Sequence, residues 1–183
     1  LCFTIDCEQL HQDYQTVSLG EGPRDWQASE GALTSFAELV EARGGGATFY
    51  AVPRAAAEHA VVLREIESRG HEVGLHLHPC VFEEVGRYSI GTAARSREEQ
   101  ARLLRAARDR WAEAIGAPPV TFRPGNFSAN SDTFAICAEL GMRHGSVSCP
   151  GRDLPEIAAA WKHSPVWTTE REGFVDVPLT TIP

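Results

Sequence analysis

The chain has 183 residues, of which 43% are hydrophobic and 23% charged, a composition typical of one folded domain with a sizeable core. Its formal net charge of −8 excludes a nucleic-acid backbone as the main partner, because such a partner requires clustered Lys and Arg. No apolar run approaches the roughly 20 residues of a membrane helix, so we expect no membrane partner. The sequence therefore predicts a single domain over residues 1–183.

The cysteines indicate a reducing compartment. Their number is five, which is odd, and no CxxC pair occurs among them. A disulfide framework is more typical of a smaller, secreted chain with an even number. We therefore expect reduced thiols in a cytoplasmic protein, with a lone disulfide as the alternative.

The predicted elements alternate between strand and helix. A β-prone run at 1–5 precedes a polar, irregular stretch at 9–29, whose length favours a functional or mobile loop. After it, helices are predicted at 32–42, 54–69, 96–115 and 131–140, and strands at 47–52, 71–76, 120–123, 142–147 and 172–181. This alternation predicts parallel strands in βα units, where catalytic groups lie at the carboxyl ends of the strands.

Two groups of polar residues follow predicted strands. Asp6 and Glu8 come directly after the first strand, where two solvated acids would be the ordinary interpretation. His76 and His78 alternate on an extended segment, so both imidazoles project to one side, and Cys80 extends the set. A single histidine here would be interpreted as structural. For two alternating histidines beside a thiol, a metal site and a structural role are equally good interpretations.

A third group, at 122–127 (FRPGNF), also follows a strand, although a plain turn with a surface Arg123 would explain it alone. Together the three groups predict a catalytic metal site. An acid and two imidazoles bind an ion and leave a position open for water. A second carboxylate can act as general base, and an arginine can hold it ionised.

Four segments, in this order and spacing, resemble the polysaccharide deacetylase family over nearly the whole chain. They are residues 44–50 (GGGATFY), 69–76 (RGHEVGLH), 122–125 (FRPG) and 139–143 (ELGMR). The resemblance implies an α/β fold, a distorted (β/α) barrel with about seven parallel strands. It also implies hydrolysis of an N-acetyl group by water activated on one divalent metal ion, commonly Zn, with Co, Ni or Fe as alternatives.

The resemblance also assigns roles to residues. Asp6 matches the catalytic base, Arg123 the residue that orients it, and His76 the first metal-binding histidine. Members with acid-x-acid in the first motif use the second acid on the metal, which makes Glu8 a ligand. The family's second histidine would fall at Cys80, so we prefer His78, two residues nearer, as the replacement.

The general acid is not assigned by the resemblance. The family supplies it from a late Leu-x-His motif, and no such motif follows Pro178. Either the last βα unit lies outside this sequence or another residue serves, with His144 and His163 as candidates. Each is more often structural or exposed than catalytic.

Substrate contacts are expected from loop residues. His11, Asp13, Tyr14 and Trp26 lie in the long stretch after the first motif, where aromatic and polar groups often form a sugar-facing wall. We take Tyr14, Trp26 and Asn126 as the predicted substrate-binding residues.

The sequence therefore favours a metal-dependent deacetylase acting on an amino sugar or related N-acylated compound, either a small molecule or an oligosaccharide. The first alternative uses the same site on an acetyl ester or a cyclic amide. The second is an inactive barrel that keeps a sugar-binding cleft, which the altered second motif favours and the intact Asp6, Glu8 and Arg123 oppose.

Overall fold

The computed structural model describes residues 3–8, 25–82 and 91–181, apart from the side chains of Cys80 and Val81. Its helices are α1 (Trp26–Glu41), α2 (Pro53–Glu58), α3 (Ala60–Ser68), α4 (Pro79–Phe82), α5 (Arg97–Ile115) and α6 (Ser131–Glu139). Its strands are β1 (Phe3–Cys7), β2 (Ala47–Ala51), β3 (Glu72–Leu77), β4 (Thr121–Pro124), β5 (His144–Gly145), β6 (Asp153–Leu154), β7 (Ala159–Ala160), β8 (Thr169–Arg171) and β9 (Phe174–Asp176).

The main sheet has seven strands in the order β1-β2-β3-β4-β5-β9-β8. Each neighbouring pair from β1 to β9 is parallel, which confirms the distorted α/β barrel. Within the described residues the sheet does not close, since β1 and β8 form its two edges. β6 and β7 form a separate two-stranded antiparallel sheet.

Six of the seven strands are parallel to their neighbours in the sheet, and the seventh, β8, runs antiparallel to β9. Glu172 and Gly173 form the connection, and both have positive φ, 52° and 79°. Positive φ at two central residues is the geometry of a tight hairpin turn that matches the twist of its strands. The predicted final strand at 172–181 is therefore the second half of a hairpin.

Three other predicted elements differ from the structure. Helix α1 begins at Trp26 rather than at 32, because the Asp25 carboxylate accepts the backbone N–H of Ala28 at 2.9 Å and caps the helix. The predicted helix at 54–69 is divided at His59 into α2 and α3. The predicted strand at 142–147 is reduced to β5, because the N–H groups of 147 and 148 donate to the Asp176 side chain.

The sheet carries apolar residues towards the helices and polar residues on its other face. Phe49 of β2 is fully buried and packs edge-on against Phe36 of α1, while its neighbour Tyr50 points to the opposite face. Residues in register share a face, and the register sets three rows there: Thr4 with Thr48 and Glu72, Asp6 with Tyr50 and Gly74, and His76 with Arg123. This polar face leads along the strands towards their carboxyl ends.

The described cysteines agree with the expectation of reduced thiols. Within the described part of the chain, Cys7, Cys137 and Cys149 are buried and free. Burial raises the pKa of the Cys7 and Cys137 thiols, so both stay protonated at neutral pH.

Among the described residues, the helices are all too short or too polar to cross a membrane. The cellular compartment stays a prediction.

At the amino end of the sheet, Glu41 joins the end of α1 to the connection between α3 and β3. Arg69 donates to both oxygens of its carboxylate, at 2.9 and 2.7 Å, and His71 Nε2 lies 2.8 Å from Oε1. The other ring nitrogen of His71 accepts the backbone N–H of Ala47 at 3.1 Å, so Nε2 carries the proton and donates. These hydrogen bonds from Arg69 and His71 lower the pKa of Glu41 from 4.5 to about 2.

We expect Glu41→Gln to lower the melting temperature at neutral pH. A carboxyl group whose pKa is depressed by folding adds stability above its unfolded pKa, and that stability is lost as the pH falls through the folded value. The difference between the variant and the wild type should therefore be full above about pH 4.5 and shrink towards pH 2. Thermal unfolding followed by circular dichroism across this range measures it.

The matched control is Glu67→Gln, which removes an exposed carboxylate from α3. It should change the melting temperature little at any pH. A difference for Glu41→Gln that stays constant down to the lowest pH of folding would contradict the role given to this carboxylate.

Candidate metal and catalytic site

Three predicted metal ligands come together at the carboxyl ends of β1 and β3. Glu8 Oε2 lies 3.1 Å from His78 Nε2 and 3.8 Å from His76 Nε2. One ligand atom from each residue lies within 4.8 Å of the other two. The alternation expected of an extended chain explains why both imidazoles reach the same place, with their rings nearly perpendicular at 88°.

A hydrogen bond to the backbone of Arg123 fixes the orientation of the His76 ring. Its Nδ1 lies 2.9 Å from the backbone carbonyl oxygen of Arg123, which can only accept, so Nδ1 carries the proton. The lone pair is then on Nε2, a buried atom without a hydrogen-bond partner among the described residues. Burial lowers the pKa of His76, which favours the neutral imidazole.

This arrangement fits a divalent metal ion. A neutral imidazole whose second ring nitrogen bonds a backbone carbonyl is the usual form of a metal-binding histidine. One carboxylate and two imidazoles suit Zn, Co, Ni or Fe and leave a coordination position for water. Because the Cys80 side chain lies outside the described residues, the choice of His78 over Cys80 rests on the observed approach of His78 to Glu8.

Asp6 and Arg123 form an ion pair beside this group. Arg123 Nη1 donates to Asp6 Oδ1 at 2.7 Å, and Nη2 donates to Thr4 Oγ1 at 2.7 Å. The guanidinium is 4% exposed, whereas the Asp6 side chain is 32% exposed, so the carboxylate faces the opening and the cation lies beneath it. One arm of the arginine thus holds the acid while the other is tied to the same strand.

The turn after β4 encloses His78. A Cβ atom on Gly125 would lie 2.5 Å from His78 Cγ and Nδ1, closer than any side chain tolerates, so the ring packs directly on the glycine backbone. Asn126 and Phe127 follow with φ of 54° and 58°, values that reverse the chain at once. The half-buried Asn126 accepts a 3.4 Å hydrogen bond from Arg152 through its carbonyl oxygen.

The predicted substrate contacts remain predictions. Trp26 begins α1, where its ring packs edge-on against His59 with centroids 5.3 Å apart and lies 6.0 Å from the Arg54 guanidinium. Asn126 belongs to the turn beside His78. Tyr14, with His11 and Asp13, lies outside the described residues.

The two candidate general acids lie elsewhere on the fold. His144 Nε2 is 2.5 Å from Glu72 Oε1, and these residues begin β5 and β3. Glu72 precedes His76 by four residues, roughly 13 Å along a strand, so His144 lies towards the opposite end of the sheet. His163 is exposed and lines a separate cavity of about 580 Å³ with Trp161, Lys162 and Arg171.

The sequence patterns did not identify two residues of this region, Thr4 and Tyr50. Thr4 and Tyr50 lie inside predicted strands, where a threonine and a tyrosine are ordinary. The available signal was alternation, since Thr4 is two residues before Asp6 and therefore shares its face. Tyr50 required the register between β1 and β2, which pairs it with Asp6.

Known structures share this fold. A predicted polysaccharide deacetylase from Mycobacterium smegmatis is 18% identical, with a TM-score of 0.64 over 98% of this chain and 59% of that one. A mutant of a family 4 carbohydrate esterase pseudoenzyme of Bacillus anthracis, with restored enzymatic activity, is 16% identical. Its TM-score is 0.53, over 81% of this chain and 44% of that one. These identities establish likeness of fold alone.

This chain spans less than two thirds of the length of these two structures, at 59% and 44%. Among curated proteins, none matches its sequence. The polysaccharide deacetylase family model matches residues 21–145, well over half of the chain. The chain belongs to the polysaccharide deacetylase family.

Proposed function

We propose that this chain is a metal-dependent hydrolase that removes an N-acetyl group from an amino sugar or a related N-acylated compound. The observation that carries the proposal is the buried, unprotonated Nε2 of His76, held beside Glu8 and His78 and without a hydrogen-bond partner among the described residues. An orphaned buried nitrogen is costly unless a ligand satisfies it. Membership in the deacetylase family supports the reaction type.

Glu8, His76 and His78 would hold the divalent ion, with zinc as the first expectation. When bound, the ion acts as a Lewis acid on the acyl carbonyl and lowers the pKa of water to about 7. Glu8 supplies a negative charge, which helps to balance the charge of the cation. The two imidazoles are neutral donors, which agrees with the burial of His76.

Asp6 is the proposed general base. Arg123 occupies Oδ1, so Oδ2 is the oxygen that takes the proton from the attacking water. The exposed position of Asp6 gives substrate access to this carboxylate, while the hydrogen bond from the buried guanidinium holds Oδ1 in place. Backbone N–H groups at the rim would add to the stabilisation of the oxyanion.

The leaving amine also needs a proton. His144 bonds Glu72 towards the amino end of the sheet, which separates it from the Glu8–His76–His78 group. Asp6 carries a proton after the attack on the carbonyl, and we assign to it the return of that proton to the amine. The Asp6 carboxylate would then serve as base and acid in turn.

Asp6→Asn should keep the bound metal and lose roughly 10²–10⁴-fold in kcat, because base catalysis typically contributes that much. Release of acetate from N-acetylated amino sugars, assayed with zinc present, measures the loss. Glu8→Gln is the comparison, and should lose the metal as well as the activity. Loss of metal in Asp6→Asn and retention in Glu8→Gln would require the two roles to be exchanged. If acetate were released only from acetyl esters, the proposed amide substrate would be wrong and an acetyl ester would take its place.

His76→Ala should abolish binding of one equivalent of zinc, because it removes the buried nitrogen that faces Glu8 and His78. Isothermal titration, with metal analysis after dialysis, measures this. His163→Ala is the matched control, since it removes an exposed histidine from the separate cavity and should leave the stoichiometry unchanged. Equal zinc content in both variants would contradict the assigned ligand set.

Gly125→Ala should weaken zinc binding although it removes no ligand. The added Cβ would lie 2.5 Å from His78 Cγ, so the ring must move from its place beside Glu8. Gly31→Ala in α1 is the control, because no atom lies within 4 Å of its added Cβ. This control should keep the zinc affinity and gain helix stability of about 0.5–1 kcal/mol. An unchanged zinc affinity in Gly125→Ala would exclude His78 as a ligand.

A further inference from the structure

Beneath the ion pair of Asp6 and Arg123 lies an aromatic side chain without an assigned role. The centroid of the Tyr50 ring is 4.5 Å from Arg123 Cζ, a distance typical of a cation over an aromatic face. The ring of Phe127 is farther away, at 5.5 Å. Tyr50 is 3% exposed, so the contact is shielded from water.

Tyr50 is held from both sides. Its hydroxyl lies 3.2 Å from Thr121 Oγ1 of β4. Burial raises the pKa of Tyr50 to about 12, so the hydroxyl keeps its proton at neutral pH and brings no negative charge to Arg123. On β3, Gly74 provides the space, since an added Cβ would meet the Thr121 side chain and lie 3.1 Å from Tyr50 Cδ1.

We infer that Tyr50 is a positioning residue, whose ring sets the guanidinium of Arg123 against Asp6. Three of the contacts of the guanidinium define its place: Asp6 and Thr4 fix the two Nη atoms, and the Tyr50 ring lies closest to Cζ. Without the ring, the arginine can tilt within its hydrogen bonds, and the carboxylate turns with it. This inference rests on the proposed function, because the consequence for the reaction passes through Asp6.

The test compares Tyr50→Phe with Tyr50→Leu. Both variants lose the hydroxyl contact with Thr121, but only Tyr50→Leu loses the ring, so their difference isolates the support of Arg123. Deacetylation kinetics should show that Tyr50→Phe keeps most of the wild-type kcat. Tyr50→Leu should lose on the order of 100-fold in kcat with little change in KM, as expected for a misplaced catalytic group.

Phe49→Leu is the control variant for a general loss of packing. Phe49 is the next residue on β2, fully buried, and packs against Phe36 and His71 on the helix side of the sheet. Phe49→Leu should lower the melting temperature at least as much as Tyr50→Leu, yet keep kcat near the wild-type value. The double variant Tyr50→Leu/Arg123→Ala should be no slower than Arg123→Ala alone, since Tyr50 acts through the arginine.

One readout is independent of activity. In protein labelled with ¹⁵N-arginine, the guanidinium protons of Arg123 should shift upfield because they lie over the Tyr50 ring. The shift should remain in Tyr50→Phe and vanish in Tyr50→Leu. If the wild type releases no acetate, the proposed function is wrong. The Arg123 signal in the two Tyr50 variants then tests the contact between Arg123 and the Tyr50 ring by itself. An Arg123 signal that is unchanged in Tyr50→Leu, or equal kcat in Tyr50→Leu and Phe49→Leu, would overturn the inference.

Discussion

A buried guanidinium organises both halves of the site. Arg123 is 4% exposed, and a charge at that depth is costly unless it is paired and hydrogen-bonded. Its side chain finds Asp6 and Thr4, while its backbone carbonyl accepts from His76 Nδ1. One residue therefore orients the proposed base and sets the tautomer of a proposed metal ligand. The proton-transfer and metal-binding groups are coupled through a single position on β4.

Backbone proximity is the second constraint. The β4 chain and the turn that follows must approach β3 closely, and glycine provides this in two places. Gly74 leaves room for Tyr50 and Thr121 within the sheet, and Gly125 allows the His78 ring to pack on the turn. Neither glycine offers a chemical group. Both are required because the functional side chains occupy the volume that a Cβ would fill.

Much of the candidate site could be predicted from sequence because its residues stand at strand ends. Alternating strands and helices bring the carboxyl ends of parallel strands to one edge, so Glu8, His76 and His78 could be grouped before their distances were known. Thr4 and Tyr50 could not, since strand residues share a site only through register. The register depends on long-range pairing, which a local pattern does not contain.

The errors in the predicted fold also have local causes. The hairpin of β8 and β9 turns on Glu172 and Gly173, a glycine signal that the β-prone residues around it obscured. The start of α1 depends on the cap by Asp25, whereas the apolar periodicity becomes clear only almost two turns later. His144 belongs to a strand of two residues, so its placement required the hydrogen bond with Glu72.

Anomalous diffraction from crystals grown with zinc is the strongest test of whether Glu8, His76 and His78 hold one divalent ion. We expect a single peak at the zinc edge, about 2.0–2.2 Å from a Glu8 carboxylate oxygen and from Nε2 of both histidines. Asp6 should remain on Arg123 and outside the coordination sphere. A peak bound by Cys80 in place of His78, a peak with Asp6 as ligand, or no peak at millimolar zinc would show that this ligand set is wrong.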